Sequence, residues 1–367
     1  MPTLPIARAV GEYARVERDR SGAGGPATLR DVAARAGVHT ATASRALNPA
    51  TRALVNDLTA RRVLDAAEAL GYRPNPIARG LKTNRSYTVG VLVPDLRNPI
   101  FPPIARGIED RLEPSGYTSV LANTDNDPER ERLSFAALQA RQVDGFITAT
   151  ARREDPFLEG LAASGAPLVL VNRAVDGNAL PAAVPDDRGG ARAAIEHLAG
   201  LGHTRIAHLA VRSVSTGRDR HEGFLEAMAA LGLEVDPALV VDGSAYSEKE
   251  GARCCRALLE GGERFTAVFA GNDLMALGCI DALTDAGRAC PADVSVVGVN
   301  DMDWSARFSP PLTTVRLPHY ELGRSAAELL LERLDDPAAA SRRIVLPTEL
   351  VVRGSTAPPR ADLRKTA

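Results

Sequence analysis

From Val89 onward the chain repeats one texture: short, continuous apolar runs separated by stretches with helical spacing. The runs are Val89–Val93, Thr118–Ala122, Gly145–Thr148, Leu168–Val171, Ile206–Ala210, Ala267–Ala270 and Val294–Val299. A strand buried on both faces reads as unbroken apolar rather than alternating, and parallel strands need a crossover between them, usually a helix. The pattern therefore predicts an α/β core of doubly wound parallel sheets, and its number of strands suits two lobes. A length of 367 residues leaves room for those lobes and a smaller appendage.

The appendage lies at the start. Residues 1–27 end in Ser-Gly-Ala-Gly-Gly-Pro and are expected to form a disordered tail, having too little apolar area to offset their ordering entropy. Residues 28–73 read as an all-α domain of three short helices. Thr28 with Asp31 is a helix start, Leu29, Val32, Ala33 and Ala36 share one face, and Gly37 stops the run. A second helix fits Thr40–Leu47 and a third Leu58–Leu70. Residues 74–86 form a linker in which Ile77–Lys82 is helix-capable but too short to be stable alone in water. The two-lobed core spans 87–353. Residues 354–367 are expected to be a flexible tail without leucine heptads.

Charge separates these parts. The chain as a whole carries −2, yet between Thr28 and Ser86 ten basic residues face four acidic ones, a surplus of six. A basic head on an acidic body suits contact with phosphates. Small residues at Ala33 and Gly37 permit the close helix approach of a helix-turn-helix, with Val32, Val38, Ala43 and Leu47 as shared core. His39, Thr40, Ala41, Thr42, Ser44, Arg45 and Asn48 then project outward, a short, polar and basic set of the kind a major groove accepts.

In the core, two open parallel sheets leave a cleft at the strand C-termini. Asn98, Asn172, Arg173, Asn272, Asp273 and Asn300 fall at or just after such ends. Other classes of function find little support. No apolar run reaches bilayer length, Met1–Gly25 lacks a secretion signal, and a cytoplasmic chain is expected. Cys254, Cys255, Cys279 and Cys290 lack metal-ligand spacing and read as small buried apolar residues. His203 and His208 have no nucleophile arranged around them, and neither a P-loop nor a Gly-x-Gly-x-x-Gly follows a strand, so no enzyme, cofactor or metal is expected.

Several motifs occur together: Thr28-Leu29-Arg30-Asp31-Val32-Ala33, Ala36-Gly37-Val38, Thr42-Ala43-Ser44-Arg45-Ala46-Leu47-Asn48, Gly71-Tyr72-Arg73-Pro74-Asn75 and Ala78-Arg79-Gly80-Leu81. Leu201-Gly202-His203, Arg220 with Gly223-Phe224, Asn272-Asp273, Val296-Val297-Gly298 and Pro310-Pro311-Leu312-Thr313-Thr314 continue the series to about Arg353. In this order they resemble the LacI/GalR family of transcriptional regulators. The resemblance implies a periplasmic-binding-protein-like core, a homodimer on double-stranded operator DNA, and repression relieved or promoted by a small-molecule effector, a carbohydrate by preference. It implies base reading by Thr40, Ala41 and Arg45, backbone contacts near Thr42, Ser44 and Asn48, and linker contacts at Asn75, Ala78 and Leu81. There Leu81 matches the leucine driven into the minor groove by a DNA-induced hinge helix. Effector contacts are implied at Phe101, Asn172, Thr216, Arg220, Tyr246, Asn272 and Asn300, with Arg173 beside them. Two departures weaken the recognition helix in expectation: His39 replaces the usual Ser cap and Ala43 a larger Val. Asn300 stands where the family often has Asp, the acid following at Asp301, which shifts the expected ligand toward different, even acidic, chemistry. A transport solute-binding protein would share the core but has no use for the basic head, and a sugar-processing enzyme would need a catalytic constellation.

Overall fold

The computed structural model describes residues 27–48, 51–73, 85–177, 180–262 and 264–360. They fall into two compact units, residues 1–86 and 87–367. The expected N-terminal tail through Pro26 and linker residues 74–84 lie outside the described residues.

In the first unit, α1 (Leu29–Ala36) opens with a reciprocal cap: the Thr28 amide donates to Asp31 Oδ2 at 2.8 Å and the Asp31 amide to Thr28 Oγ1 at 3.4 Å. These hydrogen bonds hold the Asp31 carboxyl below its usual range. Gly37 closes the helix at φ 65°, a left-handed backbone that glycine adopts without the steric penalty a Cβ brings. The second helix, α2 (Thr40–Leu47), does have a cap: His39 Nδ1 accepts from the Ala41 amide at 3.2 Å, so the imidazole takes the place of a hydroxyl. The third, α3 (Asp57–Ala69), begins one residue earlier than expected because Asn56 Oδ1 caps it, accepting from the Leu58 amide at 3.0 Å. Alanines dominate the shared core: Ala33, Ala36, Ala43, Ala46, Ala60, Ala66 and Ala67 are buried with Val32 and Val63. Val38 and Leu47, expected at its centre, are only half-buried.

The second unit holds two sheets. The first is built from β1 (Thr88–Val93), β2 (Thr118–Asn123), β3 (Gly145–Thr148), β4 (Leu168–Val171), β5 (Ala182–Pro185) and β11 (Arg343–Leu346), in the order β11-β5-β4-β3-β1-β2 and parallel throughout. The second uses β6 (Ile206–Ala210), β7 (Val240–Asp242), β8 (Ala267–Ala270), β9 (Ser295–Asn300), β10 (Thr313–Arg316) and β12 (Glu349–Val351), in the order β12-β10-β9-β8-β6-β7. Only the β10–β12 pair is antiparallel. Each sheet is sandwiched by helices, giving the first lobe α4 (Phe101–Leu112), α5 (Pro128–Ala140), α6 (Pro156–Ala163) and α11 (His319–Asp335). The second lobe has α7 (Asp187–Gly200), α8 (Ser215–Ala230), α9 (Glu248–Glu260) and α10 (Asp273–Asp285).

The chain passes between lobes three times, after β5, after β10 and between β11 and β12. In the first lobe α4 and α11 lie backbone to backbone, with Gly107 facing the Tyr320 carbonyl and Gly323 that of Ile104. A Cβ at either glycine would strike main chain.

One expectation needs correction. The start of the expected flexible tail is anchored: Ser355 is buried, accepts from the Thr313 amide at 2.8 Å and donates to the Val296 carbonyl at 2.6 Å. The Ala357 amide donates to Ser295 Oγ at 3.0 Å. Polar composition misled here because backbone-hungry Ser and Thr side chains satisfy the end of the second sheet; residues 361–367 lie outside the described residues. Cys254, Cys255 and Cys279 are buried and free, as small apolar residues would be. No helix among the described residues is long and apolar enough to cross a membrane.

Candidate functional site

The outer face of α2 carries His39, Ala41 and Arg45 exposed, with Thr40, Thr42, Ser44 and Asn48 half-exposed. Arg45 is the face's charge, and its carbonyl accepts from Thr51 Oγ1 at 3.1 Å, fixing the chain that leaves the helix. Arg52 Nε donates to the Ala46 carbonyl at 3.0 Å and extends the same hold. The face thus combines one guanidinium, three hydroxyls and an alanine methyl on a short helix whose opposite side, Ala43 and Ala46, is buried. Asn75, Ala78 and Leu81 lie outside the described residues.

In the core, all eight residues expected at the ligand site line one small cavity of ≈ 20 Å³, together with Asn98 and Ile100. Phe101, Asn172 and Arg173 come from the first lobe. Thr216, Arg220, Tyr246, Asn272 and Asn300 come from the second. Each sits at or near the C-terminal end of a strand or the first turns of the helix that follows, where both sheets open toward one another. A wider cleft of ≈ 790 Å³ shares Asn98, Phe101, Arg173 and Tyr246 with that cavity and adds Arg152, Glu248, Leu274 and Trp304.

The floor is rigidly built. Arg220 Nε donates to Asp187 Oδ1 at 2.7 Å and Nη1 to the Gly271 carbonyl at 2.6 Å, both side chains being buried. Its guanidinium lies 5.5 Å from the Tyr246 ring centroid, and the Tyr246 hydroxyl is 3.2 Å from Thr216 Oγ1. Burial pushes the Asp187 carboxyl up to about 6 while Arg220 pulls the other way, leaving it ionised at neutral pH. Asn272 Oδ1 caps α10, accepting from the Met275 amide at 2.9 Å, which leaves its Nδ2 without a partner. Asn172 Oδ1 and Asn300 Oδ1 are likewise buried and unpaired. Both asparagines have left-handed backbones, φ 64° and φ 124°, and Asp301 follows at φ 54°. Strain and orphaned polar atoms persist where the surrounding structure over-determines them, and here they converge on one cavity.

Asp301 does not face that cavity. Its carboxylate pairs with Arg316 at 2.8 Å and Arg353 at 2.6 Å, both in the second lobe, so the acid beside Asn300 is structural. Behind it, buried Asp273 accepts from the Met302 amide at 2.9 Å, from Ser305 Oγ at 2.8 Å and from Thr314 Oγ1, and burial raises it to about 6. Asp273 thereby fixes the loop that begins at Asn300. The lobes touch beside the cleft through the Ala174 amide, which donates to Ser215 Oγ at 2.9 Å, and through Arg218 with Asp176.

Two site features were not singled out in advance. Trp304, the sole tryptophan, lines the wider cleft 45% exposed, and its rarity was the available signal. His319 is half-buried at the start of α11, just past a lobe crossing, with its Nε2 enclosed and unpaired; desolvation and Arg220 push it down to about 4. The two histidines that tempted a catalytic reading are structural. His203 bonds to Thr266, Ser295 and the Ala357 carbonyl. His208 Nδ1 donates to the Phe269 carbonyl at 3.0 Å, its Nε2 is unpaired, and the ring stacks against Phe224 and Phe269. Among the described residues no cluster of His, Cys, Asp and Glu suits a metal.

Comparison with known proteins adds independent support for the two-part design. The family model for bacterial regulatory proteins of the lacI family matches residues 28–75, and that for a periplasmic binding protein-like domain matches residues 195–356. The ribose operon repressor of Halalkalibacterium halodurans is 36% identical, over 90% of this chain and 97% of its own. A solved complex of the transcriptional regulator CelR with cellobiose is 34% identical with a TM-score of 0.69, over 90% of this chain and 99% of its own. The Lac repressor dimer bound to operator and the anti-inducer ONPF is 29% identical with a TM-score of 0.80, over 91% and 100%. The helix-turn-helix, the paired parallel-sheet lobes and these matches agree: the chain belongs to the lacI family of bacterial regulatory proteins.

Proposed function

We propose that this protein is a cytoplasmic repressor that binds operator DNA as a homodimer and changes its operator affinity when a carbohydrate-like effector enters the cleft. The observation that carries the effector half is the convergence of Asn172 Oδ1, Asn272 Nδ2 and Asn300 Oδ1, buried and unpaired, on one cavity with Phe101 and Tyr246. Acceptors, a donor and flat apolar faces in one pocket match hydroxyls and the C–H face of a sugar ring. Relatives named for ribose and cellobiose support the same class.

In this reading residues 28–73 form the DNA-binding domain, 74–86 the hinge and 87–353 the effector core. Arg45 reads a guanine edge, Thr40 and Ala41 meet base edges or thymine methyls, and His39, Thr42, Ser44 and Asn48 hold the backbone. Asn75, Ala78 and Leu81 act from the hinge. The effector draws the lobes together across the Ala174–Ser215 and Asp176–Arg218 side, and the closed population changes how the paired hinges meet DNA. The test is selection of a preferred duplex from a random library by the purified protein, followed by a thermal-shift screen of sugars. A protein that selects no duplex sequence overturns the regulatory reading. One that selects DNA but responds to no small molecule overturns the effector half.

A further inference from the structure

The cleft's charges do not balance. Its narrow end is lined by two arginines, Arg173 and Arg220, and by no carboxylate, the strand-end positions being the amides Asn172 and Asn300. Arg220 is answered by Asp187. In the wider cleft, Arg152 is answered by Glu131 at 3.0 Å and Asp155 at 3.6 Å, Asp95 by Arg97, and Asp125 by Arg130. Glu248, on the opposite rim, is exposed. Arg173 is different. Among the described residues no carboxylate pairs with it, and its side chain makes one hydrogen bond, Nη1 to the neutral Asn126 Oδ1 at 3.3 Å. It stands half-buried where the narrow cavity meets the wide one, part of its surface open to the cleft.

Burial lowers the Arg173 pKa and the neighbouring Arg152 and Arg220 push in the same direction, while Tyr246 and the Glu131 carboxylate, itself paired with Arg152, pull the other way. A guanidinium in such a place keeps its charge at neutral pH, and with Glu131 committed to Arg152 it has no directly paired carboxylate to offset the hydration it has lost. An anion arriving from solution supplies it, and the planar fork favours a carboxylate or phosphate bound through two parallel hydrogen bonds.

We propose that the ligand of this cleft is an anionic carbohydrate, its carboxylate or phosphate seated on Arg173 and its hydroxyls on Asn172, Asn272 and Asn300. This rests on the cleft being the effector site. It narrows the effector from neutral sugars to sugar acids or sugar phosphates. The same pairing explains why the site tolerates an unanswered cation: Arg173 is held for the ligand at the expense of the empty protein, as binding residues often are.

The test uses the full chain at low ionic strength with matched probes: glucose, galactose and ribose; then gluconate, galacturonate, glucose 6-phosphate and ribose 5-phosphate; and inorganic phosphate alone. Thermal shift and calorimetric titration are read for wild type, Arg173→Gln and Arg173→Lys. At least one acidic probe is expected to raise the wild-type Tm and to bind at least about fivefold more tightly than its neutral parent, since one charge-assisted contact exceeds a neutral one by about 1 kcal/mol or more. Its affinity should fall by about thirty-fold or more in Arg173→Gln and recover in part in Arg173→Lys, the scale for losing one partner of a desolvated charge pair. The carboxylate and phosphate arms identify which group is held. Without ligand, Arg173→Gln should melt no lower than wild type. A neutral parent that binds as tightly as its acid, an acid whose affinity ignores Arg173→Gln, or acidic probes that never shift the Tm would each overturn the assignment. Operator binding by the same preparation separates that failure from failure of the regulatory reading.

Discussion

Arg220 Nε lies 2.7 Å from Asp187 Oδ1 with both side chains almost wholly buried, and the pair carries the floor on which Tyr246 and Thr216 stand. Removing the cation strands a carboxylate in a water-poor site. Arg220→Ala is therefore expected to destabilise the protein by about 3–5 kcal/mol, read as an urea midpoint. Arg220→Lys should recover part of the stability while leaving the ligand response impaired, because an ammonium cannot serve Asp187 and the Gly271 carbonyl in one plane. An Arg220→Ala protein as stable as wild type would contradict the burial argument.

Acid should act through His208. Its folded pKa is about 3, depressed from the ordinary 6.5 by burial, so the unfolded chain binds this proton first. The associated stability is complete above about pH 6.5 and is lost as pH falls toward 3, by at most about 1.4 kcal/mol per pH unit. His319, lowered to about 4, acts in the same sense, while Asp187 and Asp273, both raised to about 6, oppose the two histidines between pH 4 and 6, since there the folded state holds protons the unfolded chain has released. Relative to wild type, His208→Gln should gain stability on acidification from pH 6.5 to 4, by up to about 1.4 kcal/mol per pH unit; a profile parallel to that of wild type would count against neutral burial of the ring.

Glycines in two helices should respond in opposite senses. Gly107→Ala directs a methyl at the Tyr320 carbonyl and should cost about 1–3 kcal/mol or more through overpacking. Gly160, exposed in α6 with nothing near its missing Cβ, should gain about 0.5–1 kcal/mol as Ala. Denaturant midpoints of the two variants check both signs.

On the head, Arg45→Ala should weaken binding to a selected operator by about 1–3 kcal/mol, roughly 5- to 150-fold, and relax preference at one base pair while leaving ligand affinity intact. Fluorescence anisotropy against wild-type and single-base-changed duplexes measures it. A uniform loss across all sequences would reassign Arg45 to the phosphate backbone.

Much of this architecture was visible in the chain, and the omissions have physical causes. Strands with unbroken apolar runs, such as Leu168–Val171 and Ala267–Ala270, stood out because both faces are covered. β5 did not, its two alanines and Pro185 carrying little β signal, nor did β10, whose Thr313 and Thr314 look polar but are buried by bonds to Thr356, Ser355 and Asp273. β11 and β12 end their sheets and are half-exposed, so their pattern dilutes. At the site, the asparagines were marked by their place after strands, whereas Phe101, Thr216 and Tyr246 emerged only through family resemblance. That Asp301 turns to Arg316 and Arg353, and that Arg173 finds no carboxylate, depends on partners distant in sequence and was legible only in three dimensions.

In the proposed function, occupancy of the cleft is coupled to the operator affinity of the helix-turn-helix domain. This coupling is tested most directly by measuring operator Kd with and without a saturating cleft ligand identified by thermal shift. The account predicts a change of roughly 5- to 150-fold, with operator DNA changing ligand affinity by the same factor, as linkage requires. A ligand that binds the cleft and leaves operator Kd unchanged would contradict it.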